Sequence, residues 1–504
     1  MAATAAASAG VAFLLLLPGL LFGPSQDAAV YAAVATRLRA GAALYAEAWD
    51  HKPPGAYLID AGAQAALPWF GPWVPIWIAS WLAVAAAGLL TGWTLRRMGY
   101  DVLVQGAGGL FVVAALALPP IALGGGHTEH FALVPVAVAF TLAAFGSRNR
   151  SFLGAGILLG LGLATSLQVV PAVIAVVGVA WMRPAPRYLR LSLIAAGLSA
   201  LLVVTLAALA AGGLLPDAWD AVVRYSAAYR AMNLQVHGPV FSGALGAGVL
   251  ASAVVMIPVG LGILAGLRAP ASTRVACIGC ILWLAAGAGW IGFQGRIEGH
   301  YVALVVFPVG ILLALGIQQL REQLAARPRS WLIFGIPLLV LGIVSGVVVT
   351  RASTVVWDEL KAINGSASAV AEAIRSSSSD TDTVFVWGNR PQIYFLADRL
   401  PASRYLYLAP LTTPGYSSPE QIQEVLTSWE AAAPAFIVDA GSPGPGIAGL
   451  PPLLIERPLA AYGRDYDVLD PLREFVRGRY VLLGVFEGWP VYELAGHDAG
   501  QSAS

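Results

Sequence analysis

The sequence predicts a polytopic α-helical membrane protein of about eleven spans with a small α/β domain at its C-terminal end. Three observations carry that expectation. The 504 residues are 58% hydrophobic and only 11% charged. Apolar runs of bilayer-spanning length recur from residue 4 to residue 349, far more than a soluble core of this size requires. Beyond about residue 350 the pattern changes to short β-branched and aromatic runs separated by polar helical stretches, the pattern of a mixed α/β unit.

In chain order, residues 4–22 form the first apolar run. No basic segment precedes it and no clear cleavage site follows, so it reads as a retained helix and not a secretory signal. Further spans are expected at 72–95, 102–118 and 130–145. Residues 152–181 are too long for one span and are interrupted by Thr165, Ser166, Gln168 and Pro171. Two short helices meeting near Gln168 suit that stretch, because broken backbone at membrane depth needs protein or a cavity around it. Later spans fall at 191–214, 241–267, 275–293, 300–320 and 331–349. Cys277 and Cys280 lie in one of them beside Trp283, where their C-x-x-C spacing reads as packing and not as redox or metal chemistry.

Alternate connections differ in charge. One set carries Arg96 and Arg97, Arg148 and Arg150, Arg183, Arg187 and Arg190, Arg268 and Arg274, then Arg321, Arg327 and Arg329. Short loops rich in arginine and poor in acids face the cytoplasm. The other set faces outward: the first loop 23–71, then 118–129, 215–240, 294–299, and everything after 351. The net charge of +1 says nothing about partners, and no nucleic acid is expected.

The C-terminal stretch divides similarly. Residues 366–383 are Ser-, Ala- and Asp-rich with helical pattern, 383–387 and 435–438 read as strands, and 419–432 as a helix. A final hairpin joins 480–486 to 491–494 across Glu487-Gly488-Trp489-Pro490.

The chemistry concentrates in the first loop. Asp27, Arg37, Arg39, Glu47, Asp50, His51, Lys52 and Asp60 hold a large share of the chain's charge, and membrane proteins keep ionisable groups where water or substrate is met. Asp27 opens an amphipathic stretch with Val30, Val34 and Leu38 on one face. It would lie along the membrane interface with Asp27 at its N-terminus, where a carboxylate also serves as a helix cap. Lys52, in a chain that otherwise prefers arginine, stands between Asp50-His51 and Pro53-Pro54; its blander reading is a snorkelling interfacial anchor. Asp60 reads as a helix-surface partner for a nearby arginine. His127, Glu129 and His130 are residue types that hold metals, yet equally suit a loop contacting acceptor or phosphate. Trp219, Arg224, Tyr225, Tyr229, Arg230, Asn233 and His237 suit either an interfacial helix or the acceptor side of a site.

The order Asp27…Tyr31…Gly41…Leu44-Tyr45…Asp50-His51-Lys52-Pro53-Pro54 resembles the first outer loop of the membrane glycosyltransferases of the C-type fold. The likeness is to the bacterial family 39 group, related to protein O-mannosyltransferases and to the aminoarabinose transferase of lipid A. It continues through Gly124-Gly125-Gly126-His127-Thr128-Glu129-His130, through Gly295-Arg296-Ile297-Glu298-Gly299-His300-Tyr301 before a span holding Pro308, and through Val386-Trp387-Gly388 and Ser403-Arg404-Tyr405.

The resemblance implies an inverting enzyme at the outer face of the bacterial cytoplasmic membrane. It would move a hexosyl or pentosyl group from a polyprenyl-phosphate carrier to a hydroxyl on a glycan, lipid or protein. Asp27 matches the catalytic carboxylate and would act as general base. Lys52 and Arg296 would stabilise the departing phosphate. Tyr31, Asp50, His51, His127, Glu129, His130, His300 and Tyr301 complete the expected substrate surface. Ala28 follows Asp27 where many of the family carry a second acid, so no cofactor is required, with a divalent metal as the alternative. Two other classes compete: a transporter or flippase, which predicts charges at mid-membrane and repeated halves, and a non-catalytic envelope assembly protein, which would tolerate Asp27→Asn.

Overall fold

The computed structural model of the chain describes residues 2–237, 244–294, 298–326, 336–440, 453 and 467–497. Its helical part runs α1 (Ala2–Phe22), α2 (Gln26–Arg39), α3 (Pro54–Ala66), α4 (Trp73–Arg97), α5 (Val102–Ala117), α6 (Pro119–Ala122), α7 (Thr128–Phe145), α8 (Asn149–Thr165), α9 (Val170–Met182) and α10 (Arg187–Ala211). After α11 (Leu215–Trp219) and a π-helical turn, Asp220–Tyr225, come α12 (Ser226–His237), α13 (Ala244–Arg268), α14 (Ala271–Gln294), α15 (Ala303–Ala326) and α16 (Ile336–Ser376).

Among the described residues, five segments are long and apolar enough to cross a membrane, or six if α1 and α2, bent by 75° to one another, count as one broken span; the expected spans at 241–267 and 331–349 lie partly outside those residues. The stretches 102–117 and 167–182 and the described part of α13 are apolar but shorter. The strict measure therefore gives fewer spans than the eleven expected. The expected break near Gln168 is present: α8 stops at Ser166, whose hydroxyl accepts from the Gln168 amide, and a single 3-10 turn leads into Pro171 and α9. Trp290 on α14 donates to the Gln168 side chain at 2.6 Å, so the polar break is satisfied by a neighbouring helix.

Small residues let the helices approach closely. Gly156 of α8 lies against the Ile194 carbonyl of α10, and Gly197 of α10 against the Leu153 carbonyl of α8, with no room for a Cβ at either. Gly262 and Gly316 do the same for α13 and α15. Cys277 and Cys280 are wholly buried in α14, the first against Gly266, as packing residues are.

At one end of the bundle the arginines tie helix ends together. Arg97 donates to the Phe145 carbonyl at 3.2 Å, Arg183 to those of Ala143 and Gly146, and Arg321 pairs with Asp101 at 3.0 Å. The opposite end carries the sheet unit. Among the described residues its strands are β1 (Thr383–Gly388), β2 (Leu400–Pro401), β3 (Phe436–Ala440), β4 (Tyr480–Phe486) and β5 (Trp489–Leu494), in the order β2-β1-β3-β5-β4. The first three are parallel, while β3–β5 and β5–β4 are antiparallel. The β4–β5 turn is two residues long, not four. Glu487 and Gly488 both take positive φ, the conformation that matches strand twist in a tight hairpin, and Trp489 and Pro490 therefore join the strand. The helix expected at 419–432 is Pro419–Ala431, opened by a Ser418–Gln421 capping box.

Two apolar cores result. One fills the bundle among α4, α5, α7, α8, α9, α14 and α15. The other lies under the sheet and is shared with the first loop: Val30, Tyr31 and Val34 of α2, Leu44, Tyr45 and Trp49, and Tyr225 pack with Val384, Trp387, Tyr405 and Tyr407. This sharing corrects the picture of α2 as an exposed interfacial helix. Residues 28 to 35 are all buried, because alanines line both faces and both are covered.

Replacing Gly197 by valine must push α8 and α10 apart. Overpacking of this kind costs about 1–3 kcal/mol, so the variant is expected to unfold at lower temperature in detergent, with Gly10→Ala, whose Cβ would meet open space, as the unaffected control.

Candidate active site

The site is built around the 75° bend between α1 and α2. Gly23 takes φ +92, Pro24 follows, and Ser25 caps α2 by accepting from the Ala28 amide at 3.4 Å. The cap is thus Ser25 and not Asp27. Asp27 stands one position inside the helix, where its carboxylate meets the positive end of the dipole and is left available for other chemistry. Ser25 also meets His127 Nε2 at 3.2 Å.

His127 is delivered there by Gly124, Gly125 and Gly126, all with positive φ. A Cβ on Gly126 would stand 2.8 Å from the Ala28 methyl and 2.9 Å from the Trp73 ring, so the loop reaches the bend only as glycine. Its backbone is fixed by the Gly126 amide donating to Ser80 at 2.7 Å. Opposite, a 3-10 turn, Gly299–Val302, presents His300, whose ring stacks on His127 at 4.6 Å and 18°. His300 Nε2 stands 3.9 Å from Asp27 Oδ2, and Tyr301 packs edge-on to His300.

Asp27 is 44% exposed by side-chain surface, open to solvent though ringed by protein. Enclosure raises its carboxyl, but His300, Lys52, His127 and His51 together outweigh this and hold it below the ordinary carboxylate value. Burial, then the neighbouring His300, push the His127 imidazole down to about 3, so it is neutral at physiological pH. Asp27, His127 and His300 each offer one ligand atom within 4.8 Å of the others. One carboxylate oxygen and two imidazole nitrogens are a set that a divalent cation can take.

Lys52 overlooks this cluster. Its ammonium lies 5.9 Å from the centre of the Tyr31 ring. Burial lowers its pKa, but Glu129, Asp27 and Asp50 raise it by more, so it stays charged. Its backbone is clamped by two tyrosines: its amide donates to the Tyr57 hydroxyl at 2.9 Å, and Tyr45 donates to its carbonyl at 2.9 Å. Asp50 is the anchor of this loop, not an exposed substrate contact. It is 1% exposed and accepts from Tyr57 at 2.6 Å and Tyr407 at 2.5 Å, with His51 Nδ1 at 3.0 Å. His51 faces Tyr225 and Tyr229.

The set His127, Glu129 and His130 does not converge. Helical geometry from Thr128 onward turns successive side chains apart: His130 meets the Leu116 carbonyl at 3.2 Å, and Glu129 accepts from Ser166 at 3.2 Å. Glu129 Oε2 has no hydrogen-bond partner among the described residues. Asp60 is 1% exposed inside α3, not a surface partner, and burial pushes its carboxyl well up. Arg296 lies outside the described residues. Trp49 and Tyr225 join the aromatic core, and Tyr416 donates to Asp220 at 2.5 Å. Beside α11 and α12 two cavities share Arg224. One of about 460 Å³ is closed by residues 414–416; the other, about 560 Å³ and mainly apolar, runs along Leu206, Leu215 and Trp219.

Sequence reasoning missed Ser25, although a serine before an acid and an apolar-periodic run is a cap signal. Tyr57 and Tyr407 carried no comparable signal.

No family model and no curated protein matches the chain. Among solved structures it is similar to the ArnT protein of Cupriavidus metallidurans in its apo state, at TM-score 0.54 and 14% identity over 96% of this chain and 98% of that one. The same protein bound to undecaprenyl phosphate matches at 0.54 and 14% over 97% and 98%. The apo oligosaccharyltransferase of Archaeoglobus fulgidus matches at 0.53 and 11%, over 86% of this chain and 69% of that one. The chain therefore has the fold of these proteins, the C-type fold expected from its loop motifs.

Asp50 gives a stability test. Burial raises its carboxyl, but His51, Tyr407 and Tyr57 outweigh burial and hold it at about 2, against 3.8 unperturbed. A depressed folded pKa stabilises above the unfolded value, here by about 2 kcal/mol, and that contribution is lost as pH falls from about 4 through about 2. Asp50→Asn is expected to lower the melting temperature at pH 7, with the gap to the unmodified protein closing below pH 4.

Proposed function

We propose that the chain is an inverting glycosyltransferase that moves a sugar from a polyprenyl-phosphate donor to a hydroxyl acceptor at the outer face of the cytoplasmic membrane. One observation carries the reading. A solvent-open carboxylate held in its charged form stands beside a charged ammonium, at the sheet end of a fold that one solved protein carries with undecaprenyl phosphate bound. Residues 1–350 would form the membrane-embedded transferase and 351–504 the extracytoplasmic unit. The arginine-tied end of the bundle then faces the cytoplasm.

In the reaction, the acceptor oxygen bonds to the anomeric carbon as the bond from that carbon to the phosphate oxygen breaks on the opposite side. Asp27 takes the proton of the acceptor hydroxyl. His300, close to the Asp27 carboxylate, and His127, neutral and stacked beneath it, keep that carboxylate oriented. The phosphate leaves as an anion, so it needs positive charge more than a proton. Lys52, held over Tyr31, supplies it. Arg296, close in sequence to His300, is a second candidate for that charge. The acceptor approaches from the α11–α12 side, where the two cavities open.

A second reading of the centre rests on the convergence of Asp27, His127 and His300. Those three would hold a divalent cation, which would supply Lewis-acid charge to the phosphate.

Release of polyprenyl phosphate by protein in lipid, supplied with polyprenyl-phosphate sugars, tests the main reading. Asp27→Asn is expected to slow it by at least about a hundredfold, the scale of a lost general base; an unchanged rate would remove Asp27 from its role. Treatment with EDTA separates the two forms of the centre. Undiminished turnover supports the metal-free form, whereas loss restored by a divalent salt supports the metal form.

A further inference from the structure

The Gly23–Ser25 bend is held from one side by the glycine loop and from the other by the C-terminal part of the chain. Asn364, on α16 and only 7% exposed, donates through Nδ2 to the Pro24 carbonyl at 3.0 Å and to the Leu360 carbonyl of its own helix at 2.9 Å. Its Oδ1 lies 3.5 Å from Nε2 of Gln392, a fully buried residue of the sheet unit. The fit is tight: a Cβ on Gly23 would meet Asn364 Cγ at 2.8 Å. One turn away, Arg390, in the loop after β1, donates to the Gln26 side chain at 3.0 Å and to the Asn389 carbonyl at 3.0 Å. Pro24 and Gln26 flank the cap residue, and Gln26 immediately precedes Asp27.

The rest of the first loop is held by the same unit. Trp49 donates its amide to the Arg404 carbonyl at 3.0 Å, and Tyr407 bonds Asp50. Both ends of the segment that carries Asp27 and Lys52 therefore rest on residues more than 300 positions later. Locally, the bend is held by the Gly23 amide on the Gly19 carbonyl at 3.1 Å, by the Ser25 cap and by the Ser25–His127 contact, and the bonds from the C-terminal unit add to these.

We infer that Asn364 and Arg390 are positioning residues for Asp27, and that α16 and the sheet unit form part of the catalytic frame instead of merely covering it. Asn364 fixes the carbonyl at the bend, and Arg390 fixes the first residue of α2, so the direction in which Asp27 leaves the helix is set from the C-terminal unit. The inference rests on the reading of Asp27 as the base.

The test uses the full chain in lipid with the polyprenyl-phosphate sugar that the unmodified protein turns over. Asn364→Ala, and Asn364→Asp, which keeps the size but removes the donors, are expected to lower kcat by about 10- to 100-fold, the scale of a small misplacement of a reacting group. KM for the donor should stay within about twofold. Arg390→Ala should lower kcat similarly, and Arg390→Lys, which keeps a donor, should recover part of it. Because contacting residues that act through one group are non-additive, Asn364→Ala placed on Asp27→Asn should add no further loss. A positioning role is overturned if the double variant is slower than Asp27→Asn by the factor Asn364→Ala causes alone, or if kcat is normal in both Asn364 variants while Asp27→Asn is slow. Should Asn364→Ala fail to fold, the Arg390 pair on the more accessible loop decides the question in the same way. An Asp27→Asn rate equal to the unmodified protein's would instead overturn the catalytic reading itself.

Discussion

The structure depends on a turn that cannot accommodate side chains. Gly23 is pressed against Asn364, Gly19 against Gly124, and Gly126 against Ala28 and Trp73. These contacts fix where α1 ends, how sharply α2 departs, and where His127 arrives. A helix that continued straight would carry Asp27 on past the end of the bundle and away from His127 and His300. The bend instead brings it to the solvent-facing end beside His300 and Lys52. Ser25 completes the arrangement by meeting both the α2 backbone and His127.

The second constraint is the cost of burying charge. Asp50 is almost wholly buried, and such a group is retained only when its oxygens are satisfied. Two tyrosine hydroxyls and His51 do so, and in doing so they join the first loop to the sheet unit. The chain thus uses one residue's demand for hydrogen bonds to hold distant segments together. Asp27 has more open surface and fewer direct bonds.

Much of the fold is legible in sequence because the signals are local. Apolar runs identify the helices, Ser166–Pro171 marks the broken span, and the Glu487-Gly488 pair marks the hairpin, though its length required the backbone angles. That Asp27, Lys52 and the glycine-histidine loop are candidates for one site also shows in the residue types, and the structure brings Asp27 and His127 together. Other features do not. The bonds that tie Asp50, Pro24 and Gln26 to the C-terminal unit come from hundreds of residues away, at Tyr407, Asn364 and Arg390, and no periodicity links such positions. The amphipathic pattern of α2 suggested one exposed face, but small alanines permit cover on both. Histidine and glutamate three residues or fewer apart suggested a shared centre, whereas the start of α7 turns them in different directions and pairs His127 with His300, 173 positions away.

The 41 residues of α16 form one unbroken rod through the place where the composition changes. At 1.5 Å per residue such a helix is about 60 Å long, so the helical part and the sheet unit are joined by continuous helix instead of a loose tether. A hinge at that boundary would have to break consecutive helical hydrogen bonds, which a flexible linker would not require.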